Sequence, residues 1–283
     1  MLPEVPNIKD ELVSRCAEKG DFAPVLFEWY KYTGALANFF ARTRQESPCL
    51  RKIDAQHWQV LIGFLNRCSR LMLANIRLSS GGLFGETTGI IDRCIFETCV
   101  KLRWLCAKRD DESFRRLILD GLKSDLQLKK IIEENVAANQ GNALPIEARM
   151  LLSIQSALQS ANATETDVET CQKLPDLASM IAAYGGNRLE YVVGQRMGSH
   201  HVHGTWVSLE RDYLEDSDGV LGPKDHESST DQNQYLFGIL TVLESLDGFV
   251  EYVLEGSPES VVFKDLIEAV RDEVLEYRGD LGS

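Results

Sequence analysis

The sequence predicts an all-α protein built as a multi-helix bundle, and three observations predict it. Apolar residues recur at the mixed spacings of three and four that place them on one face of a helix. The breaks between these runs are rich in Gly, Ser, Asn and Pro, as at SSGGLFG (Ser79 to Gly85) and Asn139-Gln140-Gly141-Asn142. No segment alternates apolar and polar residues in the manner of a half-buried strand.

Taken in order, residues 22–44 carry Phe22, Leu26, Trp29, Tyr30, Leu36 and Phe40 at helical spacing. Residues 54–78 repeat the pattern with Trp58, Leu61 and Leu65, interleaved with Arg67, Arg70 and Arg77. A third long helix is expected from about Thr87 to Lys108, and a fourth over 111–138, opening on the dipole-favourable acidic pair Asp110-Asp111. Another runs over 145–161, and a short one starts near Leu174, with Pro175 at its first turn and Gly185-Gly186 at its end. Residues 210–232 are polar and acidic and read as a long exposed loop. Two helices, 231–255 and 258–277, follow. The organisation expected is a pair of N-terminal helices over 1–50, forming an appendage, and a main helical domain over 51–283 that carries the acidic loop.

Composition narrows the function classes. With 283 residues, 44% hydrophobic and 26% charged, the chain reads as globular rather than disordered or fibrous. No stretch approaches the ~18–20 apolar residues of a membrane span. The opening MLPEVPNIKDELV lacks the basic and apolar regions of a secretory signal, so a cytoplasmic location is expected. Seven cysteines without a Cys-x-x-Cys pair suggest buried thiols rather than a disulfide framework or zinc knuckle. The net charge is −13, with 21 Lys+Arg against 16 Asp+Glu in residues 1–130 and 9 against 27 thereafter. That balance excludes a protein relying on a broad basic face, and no DNA partner is expected.

One segment stands out chemically, YVVGQRMGSHHVHG from Tyr191 to Gly204, which holds three of the five histidines. In a continuous helix, positions seven apart return to one face, so Arg196 and His203 project together with Ser199 and His200 beside them. His201 then points elsewhere. A guanidinium beside an imidazole and a hydroxyl suits a phosphate or carboxylate: Arg supplies forked donors and His exchanges a proton near neutral pH. The same groups suit RNA cleavage, with one imidazole taking the 2′-hydroxyl proton and Arg stabilising the charge on the phosphorane. The competing reading is structural, with Arg196 paired to a carboxylate and the histidines lining a packing surface. His-His-x-His brings no clear further ligand set, so no metal is expected, and no cofactor.

A second polar pair, Arg93 and Glu97, lies four apart in the apolar run IIDRCIFETCV. It is either a simple i,i+4 salt bridge or, being flanked by Ile95 and Phe96, a partly buried pair that supports the Arg196 segment.

RCIFE (Arg93 to Glu97), LPDLASMI from Leu174 and LEYVVGQRMGSHHVHG together resemble a bacterial and archaeal all-helical family of unknown function over roughly residues 60–255. That pattern is an Arg-x-x-x-Glu helix, a Leu-Pro helix start, then Tyr (here Tyr191), Arg, Ser and a His-Gly ending. The chain also resembles the HEPN superfamily, whose motif is Arg, four to six residues, then His; Arg196–His201 and Arg196–His203 both satisfy it. Met197 stands where that superfamily often carries a polar residue. This resemblance implies a HEPN-like bundle and a metal-independent endoribonuclease acting as a toxin or phage-defence effector. It implies a homodimer with RNA as substrate and an antitoxin or defence-system protein as partner. Arg196, His203, His201 and Ser199 would then be catalytic, with Arg93, Glu97, His200 and Tyr191 supporting. The alternative is a non-catalytic helical protein that binds a nucleotide, an anionic ligand or a protein partner.

Overall fold

Apolar residues that recur on more than one face make a helix central, and this determines the architecture. The structure, a computed structural model, describes residues 1–80, 82–217, 219–224 and 228–278, and for 196–198 the backbone without the side chains. Along the chain come α1 (Asp10–Lys19), α2 (Ala23–Ala41), α3 (Ala55–Ser79) and α4 (Gly85–Lys108). A separate unit, Arg109–Asp176, then holds α5 (Asp111–Gly121), α6 (Lys123–Ala138), α7 (Pro145–Ser160) and α8 (Glu165–Thr170). The chain returns to the first unit with α9 (Leu177–Ala183), α10 (Arg188–Val202) and the single turn α11 (Trp206–Ser208). A π-helical turn (Leu209–Tyr213), strands β1 (Leu214–Ser217) and β2 (Val220–Pro223), α12 (Gln232–Val253) and α13 (Glu259–Glu276) complete it. The fold is therefore all-α and multi-helical, and no helix among the described residues is long and apolar enough to cross a membrane.

The first unit is a bundle of α2, α3, α4 and α12, with α1 against α2, α13 against α12, and α9 and α10 against α4. Trp58 of α3 and Phe40 of α2 both meet the ring of Phe249 of α12, at 6.2 and 6.0 Å between centroids. Such aromatic contacts add to the burial that drives the core. α4 is buried on several sides, through Ile95, Phe96, Cys99, Leu102 and Leu105, because four helices surround it. Helix starts are fixed by side-chain caps: Asp54 accepts from Gln56 and His57 N–H groups, and Asp231 forms a reciprocal capping box with Gln234. The second unit has its own small core of Leu119, Leu122, Leu126, Ala161 and Val168, and Arg115 donates to the Ala161 carbonyl at 2.8 Å.

Three expectations need correction. Residues 111–138 form two helices rather than one, because the chain turns at Gly121-Leu122, where glycine is the weakest helix former in the run. The acidic stretch 210–232 is not all loop: β1 and β2 pair antiparallel, Leu214 opposite Pro223 and Ser217 opposite Val220, with Gly219 in the left-handed region at φ 82°. Only a residue without Cβ adopts that conformation freely. Residues 1–50 do not form an appendage. α2 lies inside the first bundle, with Leu26, Tyr30 and Leu36 fully buried, and the chain divides at Arg109–Asp176.

Candidate functional site

The site is built where α10 ends against α4. Asn187 caps α10 by accepting from the N–H groups of Leu189 and Glu190 at 2.8 and 3.0 Å. A Cβ on Gly194 would lie 2.4 Å from the buried Phe96 ring, so α10 approaches α4 as closely as glycine permits. One turn earlier, Arg103 of α4 holds both Glu190 and Glu244 at 2.7 Å and stacks 4.0 Å over the Tyr184 ring. Tyr184 donates to Glu190 at 2.6 Å. Burial and then the Glu190 bond push the Tyr184 phenol above its ordinary range, and burial raises the Glu244 carboxyl against the opposing pull of Arg103.

α10 stops at Val202. The N–H of His203 bonds to the Ser199 carbonyl and that of Thr205 to the His200 carbonyl, while Gly204 turns the chain at φ 53°. The chain then doubles back through α11 and the π-helical turn. Single π turns of this kind bulge a helix out of register and re-aim its side chains. Here the turn brings Arg211 and Asp212 against His201.

The three histidines consequently have different fates. His200 is tied to the Thr205 hydroxyl through Nδ1 at 2.9 Å, and its carbonyl accepts from Ser208. His203 is the exposed cap residue of the helix. His201 is enclosed, its side chain 6% exposed, with Nε2 3.2 Å from Arg211 Nη2 and Nδ1 3.7 Å from Asp212 Oδ2. Arg211 Nε also donates to Asp212 at 3.2 Å. Guanidinium has only donors, so His201 Nε2 must be the unprotonated nitrogen and the ring proton sits on Nδ1, facing Asp212. Burial, followed by the Arg211 charge, lowers the His201 pKa against the pull of Asp212 and favours this neutral ring.

A cavity of about 320 Å³ opens beside this group. Its α4 wall is Gly85, Glu86, Gly89 and Asp92; Asp231 and Gln234 of the α12 start lie opposite. Gly85, Gly89 and Asp92 fall on one helical face. A Cβ on Gly89 would meet Gln234 Nε2 at 3.3 Å and His201 Cδ2 at 3.4 Å, so glycine here is what leaves the ring its place. Asp92 is 3% exposed; its Oδ1 accepts from Asn75 Nδ2 at 2.7 Å, and Asn75 Nδ2 also donates to the buried Tyr30 hydroxyl at 3.1 Å. Its Oδ2 has no partner among the described residues. Burial pushes the Asp92 carboxyl up to about 8 against the stabilising Asn75 bond.

Of the residues singled out from the sequence whose side chains are described, only His201 lines this cavity. Ser199 and Tyr191 are half-buried on α10 away from it, and the Arg196 side chain lies outside the described residues. Arg93 and Glu97 do pair, at 3.0 Å with side chains 17% and 34% exposed, but neither lines the cavity. The neighbour Asp92 does, and a single acid inside an apolar helical run has no partner at helical spacing to mark it in the sequence. Arg211 and Asp212 were missed because their segment reads as acidic loop.

A family model described as a family of unknown function (DUF5677) matches residues 58–221, more than half of the chain. The match takes in α3, α4, α10 and the hairpin, hence Asp92, His201, Arg211 and Asp212 together. No curated protein and no solved structure matches the chain.

Proposed function

We propose a function for this chain, which belongs to the DUF5677 family of unknown function: it is a HEPN-like, metal-independent endoribonuclease whose general base is His201. The observation that carries the reading is the buried, neutral imidazole, with Asp212 facing Nδ1 at 3.7 Å, beyond hydrogen-bond length, and a guanidinium on Nε2. An RNA phosphate entering the cavity draws Arg211 from Nε2 to its own oxygens, since a charge-assisted bond to phosphate is stronger than one to a neutral ring. Nε2 is then free to take the 2′-hydroxyl proton as the 2′-oxygen attacks phosphorus. The 5′-oxygen leaves and takes a proton from water, giving a 2′,3′-cyclic phosphate and a 5′-hydroxyl, and the protonated His201 ring returns its proton to solvent. Asp212 is a positioning residue that holds the tautomer. Arg196, from the HEPN resemblance, supplies the second guanidinium. Homodimer formation, a cytoplasmic location, and a toxin or defence role with a protein partner belong to the same proposal.

The experiment is to incubate purified protein with mixed-sequence RNA in chelator and to identify the product ends. Cyclic phosphate ends that vanish in His201→Ala and Arg196→Ala support the reading. Intact RNA at every protein concentration overturns it.

A second reading, a non-catalytic nucleotide-binding protein, is favoured by the cavity's charge: Glu86, Asp212 and Asp231 outnumber Arg211. Such a lining takes a ligand by its base or sugar rather than by a polyphosphate. It predicts thermal stabilisation by nucleosides with no turnover.

A further inference from the structure

α3 is 25 residues long and carries no Asp or Glu, in a chain that holds 43 of them. Its three arginines, Arg67, Arg70 and Arg77, are all exposed. The helix buries Trp58, Leu61, Leu65 and Met72 where it packs between α2 and α4. Its other flank, Gly63, Asn66, Arg70, Leu73 and Arg77, is exposed at the alternating spacing of three and four that defines one helical face. Arg67 stands at the edge of that flank, its Nε donating to the Thr98 hydroxyl of α4 at 3.1 Å. Cys68 meets Cys99 and Asn75 meets Asp92, so α4 runs antiparallel to α3. The half-buried Lys101, one turn past Thr98, therefore falls beside the start of the arginine row. Elsewhere the chain pairs cations with nearby acids, as at Arg51–Glu255 and Arg115–Asp167. Arg70, Arg77 and Lys101 have no carboxylate partner among the described residues.

We propose that this flank of α3 is the docking surface for a single strand of RNA, held by its phosphates. The proposal rests on the ribonuclease reading for the identity of the polyanion and adds where the strand lies outside the cavity. In a protein of net charge −13, a polyanion approaches only where the local field is positive, since exposed charges are screened beyond about 8 Å at physiological salt. From Arg67 to Arg77 the row runs about 15 Å, ten residues at about 1.5 Å each. Guanidinium forks bind phosphate oxygens two at a time. Leu73, 53% exposed, is the one large exposed apolar side chain of α3. The flank thus offers charge and forked donors without the apolar pockets that anchor a peptide partner. α3 ends next to the cavity wall: Ser79 shares a hydrogen bond with Thr230 at 2.9 Å, directly after Ser228 and Ser229 of the lining. A strand along the row therefore finishes at the end of the bundle that holds His201. Phosphate contacts carry no base information, so this binding is indifferent to sequence.

The test uses the full chain and a short fluorescent 2′-O-methyl oligonucleotide of mixed sequence, which lacks the hydroxyl needed for cutting. Anisotropy titrations from about 50 to about 200 mM salt give the slope of log affinity against log salt, about 0.7 for each phosphate neutralised on a single strand. The parent protein should show a slope of about 2 or more. The triple variant Arg67→Gln, Arg70→Gln, Arg77→Gln should lose about two units of it and bind more than about tenfold more weakly at the low-salt end. A control with Arg15→Gln, Arg44→Gln, Arg149→Gln loses the same charge from other exposed positions and should keep the parent's slope. A shallower slope or no binding in the parent overturns the proposal whether or not the triple variant folds. Equal losses in the triple variant and the control overturn it too. Poly-glutamate that binds through the three arginines, with RNA left unbound, assigns the flank to an acidic protein and sinks the proposal. Unmodified RNA separates the two readings. RNA held through the row yet never cut sinks the ribonuclease and leaves the surface standing; RNA cut, with a slope that the triple substitution does not change, does the reverse.

Discussion

Asn75 donates its side-chain amide to Asp92 at 2.7 Å inside a bundle where neither residue is more than 3% exposed. The bond satisfies one carboxyl oxygen and offsets only part of what burial costs the charge. The Asp92 carboxyl, raised to about 8 in the fold, ionises near the ordinary carboxylate pKa when the chain unfolds. Above that ordinary value the unfolded chain gains by ionising and the folded one does not, so Asp92 lowers stability progressively from about pH 4 to about pH 8. Asp92→Asn should therefore gain on the parent protein across that window. Urea unfolding at pH 5 and pH 8 checks it: a stability difference that does not move toward the variant at the higher pH contradicts a buried neutral acid.

The two histidines that satisfy the Arg196 spacing should separate sharply. His201→Ala removes the proposed base and should lower RNA cleavage by about 10²–10⁴-fold, the usual worth of general-base catalysis. His203→Ala should leave the rate close to the parent's, because that ring is exposed and outside the cavity. Single-turnover cleavage of a labelled RNA by both variants decides the assignment.

The same imidazole sets the pH dependence of that cleavage. Its pKa lies below the ordinary imidazole value of 6.5, so the base form persists at lower pH and the acid limb of kcat/KM should fall below that value. Arg211→Gln removes one of the causes and should move the limb upward. An acid limb above the ordinary value in the parent protein would count against His201 as base.

Arg103 is the clasp of α10, joining Glu190, Glu244 and the Tyr184 face. Arg103→Ala leaves two carboxylates without their cation and should lower stability by about 2–3 kcal/mol, somewhat below the loss for a fully buried pair because the group is partly exposed. Chemical denaturation measures it.

Gly194 lets α10 approach the Phe96 ring. Gly194→Ala forces a methyl to within 2.4 Å of a side chain that is 1% exposed and has no room to withdraw. Helix propensity would favour alanine, but the overpacking should prevail and destabilise by about 1–3 kcal/mol. A melting temperature equal to or above the parent's would show that the helices separate freely.

Helix identity was legible wherever apolar periodicity ran unbroken, as in α2, α3, α4 and α12. The site was legible only in part. The sequence marks the segment that holds His201 but sets Arg196 with His203 on one face; the Arg196 side chain lies outside the described residues, and His203 is the exposed cap of α10. The His201 partners come from a π turn, whose altered register no 3.6-residue pattern conveys. The Asp218-Gly219 pair in the sequence is a hairpin signal that the surrounding acidity obscured. Asp92 could have been found as an acid inside an apolar run, which is rarely buried without a reason.

The interruption of the first unit by residues 109–176 bears on how the chain is made. A polypeptide emerges from the ribosome N-terminus first, at roughly 5–20 residues per second. The interrupting unit makes its core from its own residues, so every partner of that core has emerged once Asp176 has. The larger bundle cannot, because α4 closes against α12, whose first residue, Gln232, lies more than a hundred positions after Lys108. Until then Trp58, Leu61 and Phe40 face solvent with no ring of Phe249 to meet. The nascent chain thus passes through an interval in which its greasiest helices are synthesised but unclosed, and that interval is when holding chaperones would find it.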